Sequence, residues 1–124
     1  MIRAILLVGI GGGIGSIFRY LTSVIVGKYF HATFPLATFL ANISGCLIIG
    51  LLFGLFERYH LTNPDLKYLF ITGFCGGYTT FSTFAAENIN LFQSENSFTA
   101  FAYIAASVIV GLLAVWAGVA LTKI

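Results

Sequence analysis

Residues 68–86 form an uncharged stretch long enough to cross a bilayer, yet its centre is Gly-Phe-Cys-Gly-Gly-Tyr-Thr-Thr-Phe-Ser-Thr-Phe, from Gly73 to Phe84. A helix in lipid must satisfy all its backbone groups internally, because each unpaired one costs several kcal/mol. Three glycines, three threonines and a serine at the middle argue for a broken helix. Broken backbone at membrane depth is tolerated where it is buried in protein or lines a polar path. The stretch therefore predicts a site at the bilayer midplane, and most simply a site for an ion.

The rest of the chain places that span in a membrane. Its 124 residues are 59% hydrophobic and 8% charged, against roughly 25% charged in a soluble domain. A net charge of +2 is too small to point to nucleic acid. Cys46 and Cys75 both lie in apolar runs and read as small buried hydrophobes. The first apolar run is too long for a signal-peptide core and lacks a small-residue cleavage pattern.

Charges and turn residues divide residues 1–124, a single domain, into four spans: Ala4 to Gly27, Phe34 to Phe56, Leu66 to Phe92 with a break near Gly76, and Phe98 to Thr122. Each meets the length of ~20 residues that a transmembrane helix needs. The expected fold is all-α and integral to the membrane. Asn63, Pro64 and Asp65 read as N-cap, first-turn proline and first-turn acid of the third helix. No connection is long enough for a soluble domain, so the chemistry must lie within the membrane. Arg3, Arg58, Lys67 and Lys123 fall on one side and Lys28 on the other, which mildly favours cytoplasmic termini. Gly9 and Gly13, Gly11 and Gly15, Gly50 and Gly54, and Gly73 and Gly77 sit four apart and read as close helix packing. Four thin helices enclose little space, so a path between subunits of an oligomer is expected.

Several polar side chains need a reason to be in lipid. Arg19 is either a functional charge or a side chain snorkelling to the interface, and in both cases it favours an anion nearby. Thr38 and Asn42 lie one turn apart; Asn42 should face inward, as an interhelical bond or as an amide donor to an anion. Tyr103 and Ser107 form a similar pair on the fourth span. Glu87 is a vestibule group or an interfacial charge. Phe81 and Phe84 share a helix face and either pack or turn positive ring edges toward an anion. The break exposes carbonyls suited to a small cation, and a second subunit at a two-fold axis would double them.

Gly-Gly-Tyr-Thr-Thr-Phe-Ser-Thr-Phe followed by Glu87 resembles the signature of the Fluc/CrcB fluoride channels. The likeness extends to Gly-Gly-Ile-Gly-Ser-Ile-Phe-Arg-Tyr around Arg19, to Thr38-Phe-Leu-Ala-Asn42 with Gly45, and to Tyr103 with Ser107. All four spans are covered, in order. The resemblance implies an antiparallel, dual-topology homodimer in the cell membrane, with two fluoride pathways and one central, structural sodium ion. It implies sodium ligands at the carbonyls of Gly76 and Thr79, and an anion-coordinating pair at Phe81 and Phe84. Asn42 would meet fluoride at the vestibule end, beside Arg19 and Thr38. Ser82, Thr83, Tyr103 and Ser107 would form a polar track, with Glu87 near one mouth.

Two features depart from the pattern. Gly111 stands where some members carry a further hydroxyl, and the four-to-one basic bias is large for a chain that inserts both ways. The competing transport reading is a small multidrug-type cation/proton exporter. It requires an acid on the first span, where this chain has only Arg19. A non-transporting accessory subunit would account for the glycine pairs but not for the broken helix. No cluster of His, Cys, Asp or Glu offers metal ligands or an acid–base pair, which argues against an enzyme.

Overall fold

A computed structural model describes residues 1–124. Three uninterrupted helices are long and apolar enough to cross a membrane: α1 (Ile2–Tyr29), α2 (Leu36–Arg58) and α6 (Ser97–Leu121). The remaining span is segmented into α3 (Pro64–Leu66), a π-helix (Lys67–Cys75), α4 (Gly76–Tyr78), an extended break, and α5 (Ser82–Gln93). The chain is thus an all-helical, multi-pass membrane protein with four crossings. At ~1.5 Å per residue, the 28-residue α1 is about 42 Å long and exceeds the hydrocarbon thickness.

The third crossing starts as its sequence dictates. Asn63 accepts a hydrogen bond from the Asp65 amide at 3.0 Å, with Pro64 in the first turn. Asp65 also pairs with Arg3 at 2.7 Å, tying the start of this crossing to the start of α1.

Glycines set how closely the helices pack. A Cβ on Gly11 or Gly15 would strike the carbonyl of Leu69 or Phe74, and one on Gly77 would strike that of Gly12. Helix α1 therefore lies backbone to backbone on the π-helix and α4. Helices α2 and α6 form a second close pair: Gly50 faces the Val115 carbonyl, Gly118 the Leu47 carbonyl and Gly54 the Thr122 side chain. Gly9 and Gly13 differ from the other pairs, since nothing lies within 4 Å of a Cβ at either, and they look outward. Only 16 of 124 residues are buried, so most large side chains, among them Ile5, Ile10, Ile17 and Leu112, face outward as lipid contact demands.

The break, expected near Gly76, falls three residues further on, at Thr79–Phe81. Gly76 is helical, with φ −63° and ψ −36°, and no glycine has a positive φ. Thr79 turns extended at φ −89°, ψ 158°. Gly73 and Gly77 serve close approach to α1, whereas a Cβ on Gly76 would meet only the Ile71 carbonyl of its own segment at 4.0 Å, and the threonines terminate the helix. The π-helix was not foreseen; its i→i+5 bonding ends at Cys75, just before the motif's Gly-Gly pair.

Candidate functional site

Hydroxyls and two residues of neighbouring helices satisfy much of the broken backbone. The Thr79 hydroxyl donates to the Cys75 carbonyl at 2.8 Å, beside the Thr79 amide at 3.0 Å. The Thr80 hydroxyl accepts the Thr83 amide at 3.2 Å and so caps the first turn of α5. Asn42 of α2 grips Thr80 twice: its Nδ2 donates to the Thr80 carbonyl at 3.0 Å, and its Oδ1 accepts the Thr80 amide at 2.8 Å. Arg19 of α1 donates from Nε to the Gly77 carbonyl at 3.1 Å. A guanidinium at the carbonyl end of a helix also meets the negative end of its dipole.

The carbonyls of Gly76, Tyr78 and Thr79 receive none of the loop, cap or side-chain hydrogen bonds. Bare carbonyl oxygens beside a half-helix C-terminus suit a small hard cation. Both Gly76 and Thr79 line a cleft of about 440 Å³ between α2, the third crossing and α6. Asn42, Thr80, Phe81, Phe84 and Ser107 line the same cleft. The Ser107 hydroxyl is buried without a partner, so it keeps hydrogen-bonding capacity in reserve.

A second hollow, about 360 Å³, lies on the other side of the break between α1, α2 and α5. Arg19, Thr38, Thr83 and Glu87 line it, together with Ser16 and Ser23. Thr80 borders both hollows. One Glu87 carboxylate oxygen accepts the Thr38 hydroxyl at 2.8 Å, and the other accepts the Tyr103 hydroxyl at 2.8 Å. Tyr103 is the one large side chain that is fully buried. It is wedged edge-on between Phe84 at 4.9 Å and Phe34 at 5.2 Å. Phe81 lies 5.8 Å from Phe84, tilted 47°, yet is 78% exposed.

The residues singled out from sequence thus divide between two surfaces. Gly76, Thr79, Asn42, Phe81, Phe84 and Ser107 meet in the cleft, and Arg19, Thr38, Thr83 and Glu87 in the polar hollow. Thr38 and Asn42, one turn apart, serve different hollows. Ser82 is exposed at the start of α5 and lines neither, though its hydroxyl is 3.4 Å from that of Thr80. Tyr103 reaches the polar hollow only through Glu87. Sequence reading passed over Tyr78, whose hydroxyl lies 3.0 Å from that of Ser44 and 3.3 Å from that of Thr22. Its place inside a run of polar residues was the one available signal.

Fold and site together define a multi-pass membrane protein whose polar groups gather at a helix broken in mid-membrane, a construction that serves the handling of ions. The chain belongs to the CrcB family: the family model described as "CrcB-like protein, Camphor Resistance (CrcB)" matches residues 6–119. A protein named fluoride-specific ion channel FluC from Flavobacterium psychrophilum is 51% identical over 121 residues, covering 98% of each chain. Another of that name from Azobacteroides pseudotrichonymphae is 45% identical, covering 99% of this chain and 98% of its own. A third, from Azotobacter vinelandii, is 42% identical over the full length of both.

Proposed function

We propose that this chain is a fluoride-selective channel that lets the anion leave the cytoplasm passively. The relatives are named fluoride-specific ion channels, and the expectation of a non-enzymatic protein agrees with that. The observation that carries the finer reading is the set of unpartnered carbonyls at Gly76 and Thr79 in a cleft open on the outside of the subunit.

One chain offers too few oxygens there for a cation. A second copy, antiparallel across a two-fold axis at the break, supplies the same carbonyls again and closes the cleft. The Gly76 and Thr79 oxygens then hold a structural sodium ion, which supplies fixed positive charge at the dimer centre. The same association covers Phe81, which a single subunit leaves 78% exposed. Each subunit contributes one path, giving two pores.

Fluoride is small and strongly hydrated, so a selective path must replace water with hydrogen-bond donors or positive edges without trapping the ion. The polar hollow is the entry. Arg19 stands in it, with its Nε spent on Gly77 and its terminal nitrogens carrying the remaining donors. Asn42 uses one amide hydrogen on Thr80, and its second remains to meet the ion. Phe81 and Phe84 can offer ring edges in the driest part, where screening is least. Ser107 brings an unpartnered hydroxyl. Ser82 and Thr83 flank the cap of α5. The Tyr103 hydroxyl donates its hydrogen bond to Glu87 in this conformation, so it can serve the anion only after releasing that carboxylate. Gly111, where some members place a hydroxyl, leaves the α6 side of the track to water.

The test is fluoride efflux from liposomes holding purified protein, with chloride as comparison. Fluoride should leave far faster. Equal rates for the two ions, or none, would remove the reading. Labelling of Lys28→Cys from both faces of intact cells should find both orientations; labelling from one face alone would remove the antiparallel dimer and leave the channel standing.

A further inference from the structure

Tyr78 is the last residue of α4, immediately before the break. Its hydroxyl lies between two others, Ser44 Oγ of α2 at 3.0 Å and Thr22 Oγ1 of α1 at 3.3 Å. Each hydroxyl has a single proton. Ser44 donates its proton to the Leu40 carbonyl at 2.6 Å, and Thr22 to the Phe18 carbonyl at 2.9 Å. Both are therefore acceptors toward the phenol, and the Tyr78 proton is the only one left among the three oxygens. It can go to either neighbour. The ring is held separately, stacked on Phe74 at 5.8 Å and 12°.

We infer that Tyr78 is a positioning residue whose hydroxyl clasps the end of the first half-helix to α1 and α2 at once, and so aims the bare carbonyls that follow. Its neighbours in sequence are held too: Gly77 by Arg19, and Thr80 by Asn42. The Tyr78 and Thr79 carbonyls have no such partner. Their direction is set only by what fixes the residues around them, and the phenol is the one anchor that reaches both flanking helices. The functional consequence rests on the reading of the break as the ion site.

Two acceptors make the clasp redundant, and redundancy has a signature. Tyr78→Phe keeps the stacked ring and removes the proton; about fivefold lower fluoride flux is expected, the equivalent of one ordinary hydrogen bond. Ser44→Ala alone should lose about twofold or less, because the phenol turns to Thr22. Ser44→Ala with Thr22→Val should match Tyr78→Phe, and adding Tyr78→Phe to that pair should lose nothing more. Ser44→Thr, which keeps the oxygen, should conduct normally, as should the exposed control Tyr29→Phe. Amide hydrogen exchange in micelles gives a readout without flux: Thr79 and Thr80 should exchange about fivefold faster in Tyr78→Phe, with the rest of the chain unchanged. Fully additive losses, or a Tyr78→Phe protein with wild-type exchange at both amides, would overturn the clasp. Absence of fluoride flux from the wild type would instead overturn the channel reading, and exchange would still decide on Tyr78.

Discussion

Two helix C-termini in this chain are closed by an arginine, and the contrast between them is instructive. Arg58 ends α2 at the edge of the bundle and donates to the Thr122 carbonyl of α6 at 2.7 Å, with its guanidinium 5.6 Å from the Tyr59 ring centre. Arg19 lies within a span and donates to the Gly77 carbonyl of α4 at 3.1 Å. Both meet the negative end of a helix dipole. At the edge, water can take over from Arg58, and the α2–α6 seam continues behind it as regular helix packed on glycine. At the break Arg19 works together with Asn42, Thr79 and Thr80. The seam is secured by shape, and the break by hydrogen bonds that α1 and α2 supply.

The largest expected effect bears on the seam. A Cβ at Gly118 would lie 2.5 Å from the Leu47 carbonyl oxygen and 2.7 Å from the Leu51 amide, both backbone atoms that cannot swing aside. Gly118→Val should cost about 3 kcal/mol or more and leave little folded protein. Near-normal yield and thermal midpoint would mean that the seam is not secured by shape. Asn42→Ala tests the break in the same way. It strands an amide and a carbonyl of Thr80, for a loss of about 2–4 kcal/mol in the thermal midpoint or denaturant series. A loss under about 1 kcal/mol would show that water replaces Asn42, and the break would then resemble the edge.

The arginine pair sharpens the contrast. Arg19→Ala should cost about 2 kcal/mol, as for a hydrogen bond to a charged group, and Arg58→Ala under about 1 kcal/mol because its end is exposed. Equal losses would erase the distinction. The smallest effect is one of flux without stability. Phe81→Ile removes the ring quadrupole but keeps apolar bulk. It should fold normally and lose about tenfold in fluoride flux, some 1.4 kcal/mol, while Phe53→Ile on α2 loses almost none. Wild-type flux from Phe81→Ile would reduce the aromatic pair to packing.

Where length and caps decide an element, the sequence was enough. The second span was expected at Phe34 to Phe56 and lies at Leu36–Arg58, and the fourth at Phe98 to Thr122 lies at Ser97–Leu121. Asn63 caps as expected, because a cap depends on its own next few residues. The break was expected near Gly76 and lies three residues beyond it; the sequence could not fix it more closely because a membrane glycine has two uses, interruption and close approach. Only the partner helix tells them apart: Gly77 is pressed on Gly12, whereas Thr79 and Thr80 turn aside. The outward-looking Gly9 and Gly13 carry the same four-residue spacing as the packed pairs, so spacing could not separate them. For the site, sequence picked out Asn42 as inward-facing but not its two-point hold on Thr80, since nothing local joins residues 38 positions apart. Tyr103 and Glu87 were singled out individually, and their bond to each other was not visible.

Thr80 borders both hollows, and that shared wall has an electrical meaning. A membrane potential falls across whatever is dry. On the proposed reading, water would enter the polar hollow as far as Thr80, and the insulating distance would shrink from the ~30 Å of the hydrocarbon to the dry stretch beyond that residue. The field would then be concentrated around Thr80, Asn42 and Phe81. On the proposed path, a monovalent anion crossing that stretch would take up most of the ~2.3 kcal/mol that each 100 mV supplies to a unit charge. Voltage dependence in this protein would thus be written by the residues flanking one threonine, and the long apolar helices around them would feel almost none of it.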